Sequence, residues 1–151
     1  MLGFDSYYTS IPLLIQLSFW GIKAIGTINA QRKGLGKVFG DLKKKLKKTR
    51  DPENKKKGGY DQGYYRWRAI DDDTHLKITV QKDSKVMLYG DNFLPSGEKV
   101  ELTRFNKLSK DMKVMKFWVG HKLFNFLYGM VDQATSWRTK AGGHKTRVGK
   151  F

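Results

Sequence analysis

The sequence predicts an α/β domain, and three observations carry that reading. Residues 9–20 (T-S-I-P-L-L-I-Q-L-S-F-W) combine a capping hydroxyl, an early proline and an apolar side, which is how a helix starts. The run I-K-A-I-G-T-I follows at once over residues 22–28, rich in β-branched residues. Short strand-like runs then alternate with turn residues up to residue 105, and a second apolar stretch with helical spacing closes the pattern.

In order along the chain, Thr9 or Ser10 caps the first helix and Pro12 sits in its opening turn, where a missing N–H costs little. Leu13, Leu14, Leu17 and Phe19 or Trp20 supply its buried side, and Gly21 stops it. Residues 22–28 are apolar enough for a central strand. Val38, Leu42 and Leu46 recur at four-residue spacing, so residues 37–48 read as a basic amphipathic helix. Residues 49–59 (T-R-D-P-E-N-K-K-K-G-G) read as a solvated loop. Residues 60–70 form an aromatic strand whose tyrosines and Trp67 suit a sheet core. Residues 76–81 and 85–89 pair as a hairpin across Lys82-Asp83-Ser84. Residues 100–105 add a short strand, and residues 117–131 a helix. Beyond Lys140 the chain is glycine-rich and basic, a loose tail over residues 141–151.

The chain has 151 residues, enough for one domain. Thirty Lys and Arg stand against fourteen Asp and Glu, a formal charge of +16 that calls for a polyanionic partner, nucleic acid before anionic membrane. Residues 32–57 hold twelve of the basic residues against Asp41, Asp51 and Glu53. The absence of cysteine excludes disulfides and thiolate zinc sites. The apolar run at 11–20 is too short to cross a bilayer, and no basic leader precedes it, so the expected setting is intracellular, without a membrane.

Chemistry is carried by two acids. Asp5 ends a short apolar segment ahead of the first helix and strand, and the order acid, helix, strand fixes a carboxylate at a strand end, as a metal-dependent nuclease core requires. An isolated Asp at a turn is usually only a cap, and what surrounds Asp5 decides its weight. Residues 4–28 read F-D-S-Y-Y-T-S-I-P-L-L-I-Q-L-S-F-W-G-I-K-A-I-G-T-I. This block resembles the one around the second catalytic aspartate of piggyBac-type DNA transposases, D-N-x-x-T-S-x-P-L-L followed by G-I-x-A-x-G-T-x-R-x-N-R. Residues 122–134 (K-L-F-N-F-L-Y-G-M-V-D-Q-A) are similar to the family's L-Y-N-x-x-M-G-G-V-D-x-A-D-Q, with Leu123, Asn125, Gly129, Val131, Asp132 and Ala134 in register. Phe124 and Met130 depart from it, as do Thr135 and Ser136. Between these blocks, residues 85–93 and Arg66-Trp67-Arg68 resemble weaker family strands.

The resemblance implies a ribonuclease-H-like α/β fold, a mixed sheet flanked by helices, over residues 1–140 with a basic insertion at about 32–59. It implies metal-dependent DNA strand cleavage and transfer, with Asp5 and Asp132 as Mg2+ ligands. Arg32, Lys33, Lys37, Lys43, Lys44, Lys45, Lys47 and Lys48 would hold the DNA backbone. The family's first catalytic aspartate lies upstream of residue 4, so the expected domain is N-terminally incomplete and inactive alone. A nuclear location and a homodimer are compatible with this reading, and no small-molecule substrate is expected. The rivals are a non-enzymatic basic DNA- or RNA-binding protein and a reading frame that does not fold stably. Of the other groups, Asp71-Asp72-Asp73 read as a solvated turn, Asp91 as a strand end, and His75, His121 and His144 as structural or surface residues.

Overall fold

The computed structural model describes residues 1–32, 35–47, 60–106 and 109–141, with backbone alone at 36–38 and 131–141. Ten elements follow in order: β1 (Leu2–Phe4), α1 (Ile11–Phe19), β2 (Ala24–Thr27), α2 (Gly36–Lys47), β3 (Tyr65–Asp71), β4 (Leu76–Lys82), β5 (Val86–Asp91), β6 (Lys99–Asn106), β7 (Asp111–Trp118) and α3 (Val119–Ala141). The chain is therefore a mixed α/β protein. Five strands form one sheet in the order β1-β2-β5-β4-β3, and β6 and β7 form a separate two-stranded ribbon. β1 runs parallel to β2, whereas every other pair in the large sheet is antiparallel.

Local chemistry accounts for these boundaries. The Ser10 hydroxyl accepts from the Leu13 amide at 3.3 Å to cap α1, and Pro12 lies in the first turn. Gly21 adopts φ +70° just beyond the helix, the left-handed stop that glycine enters without a Cβ penalty. β2 is buried along its whole length between β1 and β5, the central strand its sequence predicts. The turn between β4 and β5 falls on Asp83, Ser84 and Lys85, with Lys82 paired to Val86.

Side-chain alternation sends two cores to opposite faces of the sheet. Leu76, Ile78 and Val80 of β4 and Leu88 of β5 meet Leu14 and Leu17 of α1 and Phe39 and Leu46 of α2. Ile25 of β2 and Tyr89 of β5 face the other way, onto Trp118 at the end of β7 and Phe124 in the first turns of α3. The sheet is thus a middle layer between α1 with α2 and α3. Each fully buried Leu or Ile in these layers contributes about 1.5–3 kcal/mol relative to an exposed one.

Several expectations change. Phe19 and Trp20 are 75% and 65% exposed rather than buried, because the helix buries Leu14 and Leu17 with Ile11, Leu13 and Ile15 beside them and ends at Phe19. The aromatic strand begins at Tyr65. Residues 61–64 form a turn instead, in which the Tyr64 amide donates to the Asp61 carbonyl. Tyr60 and Tyr64 pack against the core as expected, but Trp67 is 48% exposed on the edge strand β3. Phe117 and Trp118 end a strand, β7, rather than start a helix, since residues 111–118 find a full ladder of partners on β6. The predicted loop at 49–59 and the tail beyond Ala141 lie outside the described residues, as does His144.

Candidate nucleic-acid interface

Asp5 directly follows β1 and organises the turn into α1. Its Oδ1 accepts from the Tyr7 amide at 2.9 Å and the Tyr8 amide at 3.3 Å, while its carbonyl accepts from the Thr9 hydroxyl at 2.6 Å. These are the bonds of a carboxylate bracing a turn. Arg32 reaches the same turn, where its Nη2 donates to the carbonyls of Tyr7 and Ser6. The arginine expected on a DNA backbone and the aspartate expected on a metal are therefore brought together, about one loop of backbone.

Asp132 lies on α3, and its side chain is outside the described residues. The helix nevertheless lies alongside β1: a Cβ at Gly3 would sit 3.3 Å from the Cβ of Leu127. The two acids thus stand on neighbouring elements. The described residues do not by themselves make a magnesium site, because no group of three His, Asp or Glu among them is placed to hold a metal. Asp5 offers one carboxylate with Oδ1 already on two amides, and hard divalent cations need several oxygen donors.

The lysines divide. Lys44, Lys45 and Lys47 are exposed on α2, Lys43 is half-buried, and the Lys33 and Lys48 positions and the Lys37 side chain lie outside the described residues. Lys43 and Lys47 face a cavity of about 640 Å3 between α2, the β4–β5 turn and the ribbon. Lys82 at the end of β4 and Lys85 in the turn line it from the other side, so it gathers lysines that are far apart in the chain. Burial lowers the Lys82 ammonium from its ordinary range, with Asp61 acting in the opposite direction.

Beside this cavity lies a buried polar network that sequence reasoning misses. Asp83 Oδ2 meets His121 Nε2 at 2.8 Å and Arg104 Nε at 3.1 Å, and its Oδ1 accepts from Gln62 Nε2 at 2.7 Å. With Nε2–H turned to the carboxylate, His121 Nδ1 accepts from the Tyr89 hydroxyl at 2.7 Å. Burial opposes the charge on Asp83, yet the hydrogen bonds from His121, Gln62 and Arg104 outweigh it and hold the carboxyl well below the usual range. Burial pushes the Tyr89 phenol up, and the Asp83 charge adds to that. His121, expected to be a structural or surface residue, is buried and joins the β4–β5 turn and β5 to α3.

A second buried pair fixes the far end of the same strands. Lys77 Nζ lies 2.9 Å from Asp91 Oδ1, which also accepts from the Leu94 amide at 2.8 Å and the Phe93 amide at 3.2 Å. Burial pushes the Asp91 carboxyl up against these partners. Asp91 does close a strand, as expected, but from a fully buried position. Asp71 braces the exposed turn of Asp72 and Asp73 by accepting from the Asp73 amide and the Thr74 hydroxyl. Among the described residues, no helix is long and apolar enough to cross a membrane. Set against protein-family models, curated proteins and solved structures, the chain finds no significant match.

Proposed function

We propose that this chain is a duplex-DNA-binding domain of piggyBac-transposase ancestry, built on a ribonuclease-H-like sheet and acting through backbone phosphates. The observation that carries this reading is the charge: +16 overall, with Lys43, Lys44, Lys45 and Lys47 on one short helix whose apolar side packs on the sheet. The ancestry is supported by the β1–α1–β2 unit with Asp5 at its strand end, Arg32 at the same turn, and α3 running beside β1. Among the described residues β1 is one of the two edge strands of the sheet, a position at which a strand bearing a further carboxylate would pair. In this reading Asp5 and Asp132 would be ligands of a magnesium ion, and binding to the DNA backbone is the activity proposed for the chain. The α2 lysines serve equally as a nuclear-import patch.

The test is fluorescence anisotropy with a labelled short duplex over a salt series, with and without Mg2+. The expected result is affinity that falls steeply with salt, by ~0.9 in log–log slope for each phosphate contacted, and no nicking of a supercoiled plasmid. Tighter binding to a structured RNA hairpin than to the duplex would displace DNA as the partner. Magnesium-dependent nicking abolished by Asp5→Ala would restore catalysis to the domain.

A further inference from the structure

We propose that the cavity between α2, the β4–β5 turn and the β6–β7 ribbon is a built recognition site for a phosphate ester. This rests on that reading and deepens it: the cavity shares Lys43 and Lys47 with the α2 surface above and adds Lys82 and Lys85. Two lysines come from α2 (Lys43 and Lys47), one from the end of β4 (Lys82) and one from the turn (Lys85), so four lysines from separate elements line about 640 Å3. Lysine binds phosphate as a point charge, and several amines from separate elements suit a group carrying more than one negative charge.

The acids in the lining do not cancel this field. Asp83 has its Oδ1 on Gln62 and its Oδ2 on His121 and Arg104, and the Arg104 guanidinium balances its charge within the protein. Asp61 is matched electrostatically to Lys82, whose ammonium is nonetheless destabilised by burial. The rest of the wall mixes apolar Val86, Met87, Phe105 and Met115 with polar Gln62, Ser84 and Asn106. A phosphate carried on an apolar or planar group has apolar wall to rest against, and Phe105 within it is 52% exposed.

One chemistry has two sources here: a phosphate of a nucleic-acid backbone, or a free phosphorylated small molecule. The experiment titrates the full chain with inorganic pyrophosphate by calorimetry and, separately, with a labelled short duplex. Both titrations are repeated on the double variant Lys43→Gln, Lys85→Gln and on a charge-matched control, Arg66→Gln, Arg68→Gln, on β3. Saturable pyrophosphate binding, weakened about tenfold or more in the cavity variant and unchanged in the control, is the expected result. If the duplex displaces pyrophosphate and loses affinity in the same variant, the source is nucleic acid. If duplex binding is unaffected, the source is a free phosphate ester. Absence of saturable pyrophosphate binding, or equal weakening in both variants, overturns the site and leaves DNA binding standing. The converse, pyrophosphate binding without duplex binding, overturns the DNA reading and leaves the site.

Discussion

Asp83 joins segments that are far apart in the chain, since its carboxylate is shared by Gln62, Arg104 and His121. The sequence marks it only as a turn residue between two strands. Its partners lie 21 and 38 positions away, beyond any spacing rule, which is why the network is invisible before the fold is known. Replacing Asp83 with Asn leaves Arg104 and His121 around a neutral amide, and the expected cost is about 2–4 kcal/mol in urea unfolding at pH 7. The pH dependence separates this from a packing defect. A carboxyl held below its unfolded value adds stability that is fully present above about pH 4 and is lost as pH falls through its folded value. The gap between the wild type and Asp83→Asn should therefore narrow in acid below about pH 4. A gap that stays constant from pH 7 to pH 3 would show that the charge on Asp83 carries none of it.

At the scale of elements, the β1–α1–β2 unit depends on one close approach. A Cβ at Gly26 would lie 2.9 Å from the Phe4 carbonyl oxygen of the neighbouring strand and against the Thr9 hydroxyl. That hydroxyl holds the Asp5 carbonyl, so space at Gly26 and the geometry of the Asp5 turn are coupled. Gly26→Ala should cost about 1–3 kcal/mol by overpacking and should also alter the Tyr7 and Tyr8 amide resonances, the two that Asp5 caps. A variant as stable as the parent, with those resonances unmoved, would break the coupling. This unit was the most legible part of the sequence, because hydroxyl, proline, glycine and a β-branched run each have a local physical meaning. The 76–91 hairpin was legible for the same reason. β7 was not: most of its side chains are exposed, so burial leaves no clean alternation, and its two large aromatics fall together at the end that enters α3. Of the candidate site, the lysine run could be read in advance. Its pairing with Lys82 and Lys85 could not, because it arises from packing α2 on β4 and β5.

For the whole molecule, the decisive contrast is between a covered sheet and an open ribbon. β4 is buried along its full length and lies between β3 and β5. The ribbon is fastened at its base, where the Trp118 amide donates to Gln81 Oε1 and the Trp118 indole donates to the Pro95 carbonyl, each at 3.1 Å. Arg104 adds its bond to Asp83 part-way along. Further out, Phe105, Met112 and Val114 are 52%, 61% and 64% exposed, so nothing apolar covers that end among the described residues. Opening it breaks ladder bonds but exposes little additional apolar surface, whereas opening β4 exposes both cores. Native-state hydrogen exchange should therefore show the amides of residues 103–106 and 111–114 opening at a free energy well below that of residues 77–81. Residues 77–81 should approach the global unfolding value. The ribbon also lends Phe105, Asn106 and Met115 to the cavity wall, so a ligand seated against the four lysines has to order that same end. Saturating pyrophosphate should then slow exchange across the outer ribbon more than across β4. Equal protection of both would mean that the ligand stabilises the fold globally without touching the ribbon. Unchanged ribbon exchange alongside confirmed binding would put the bound anion on α2 and the hairpin turn alone.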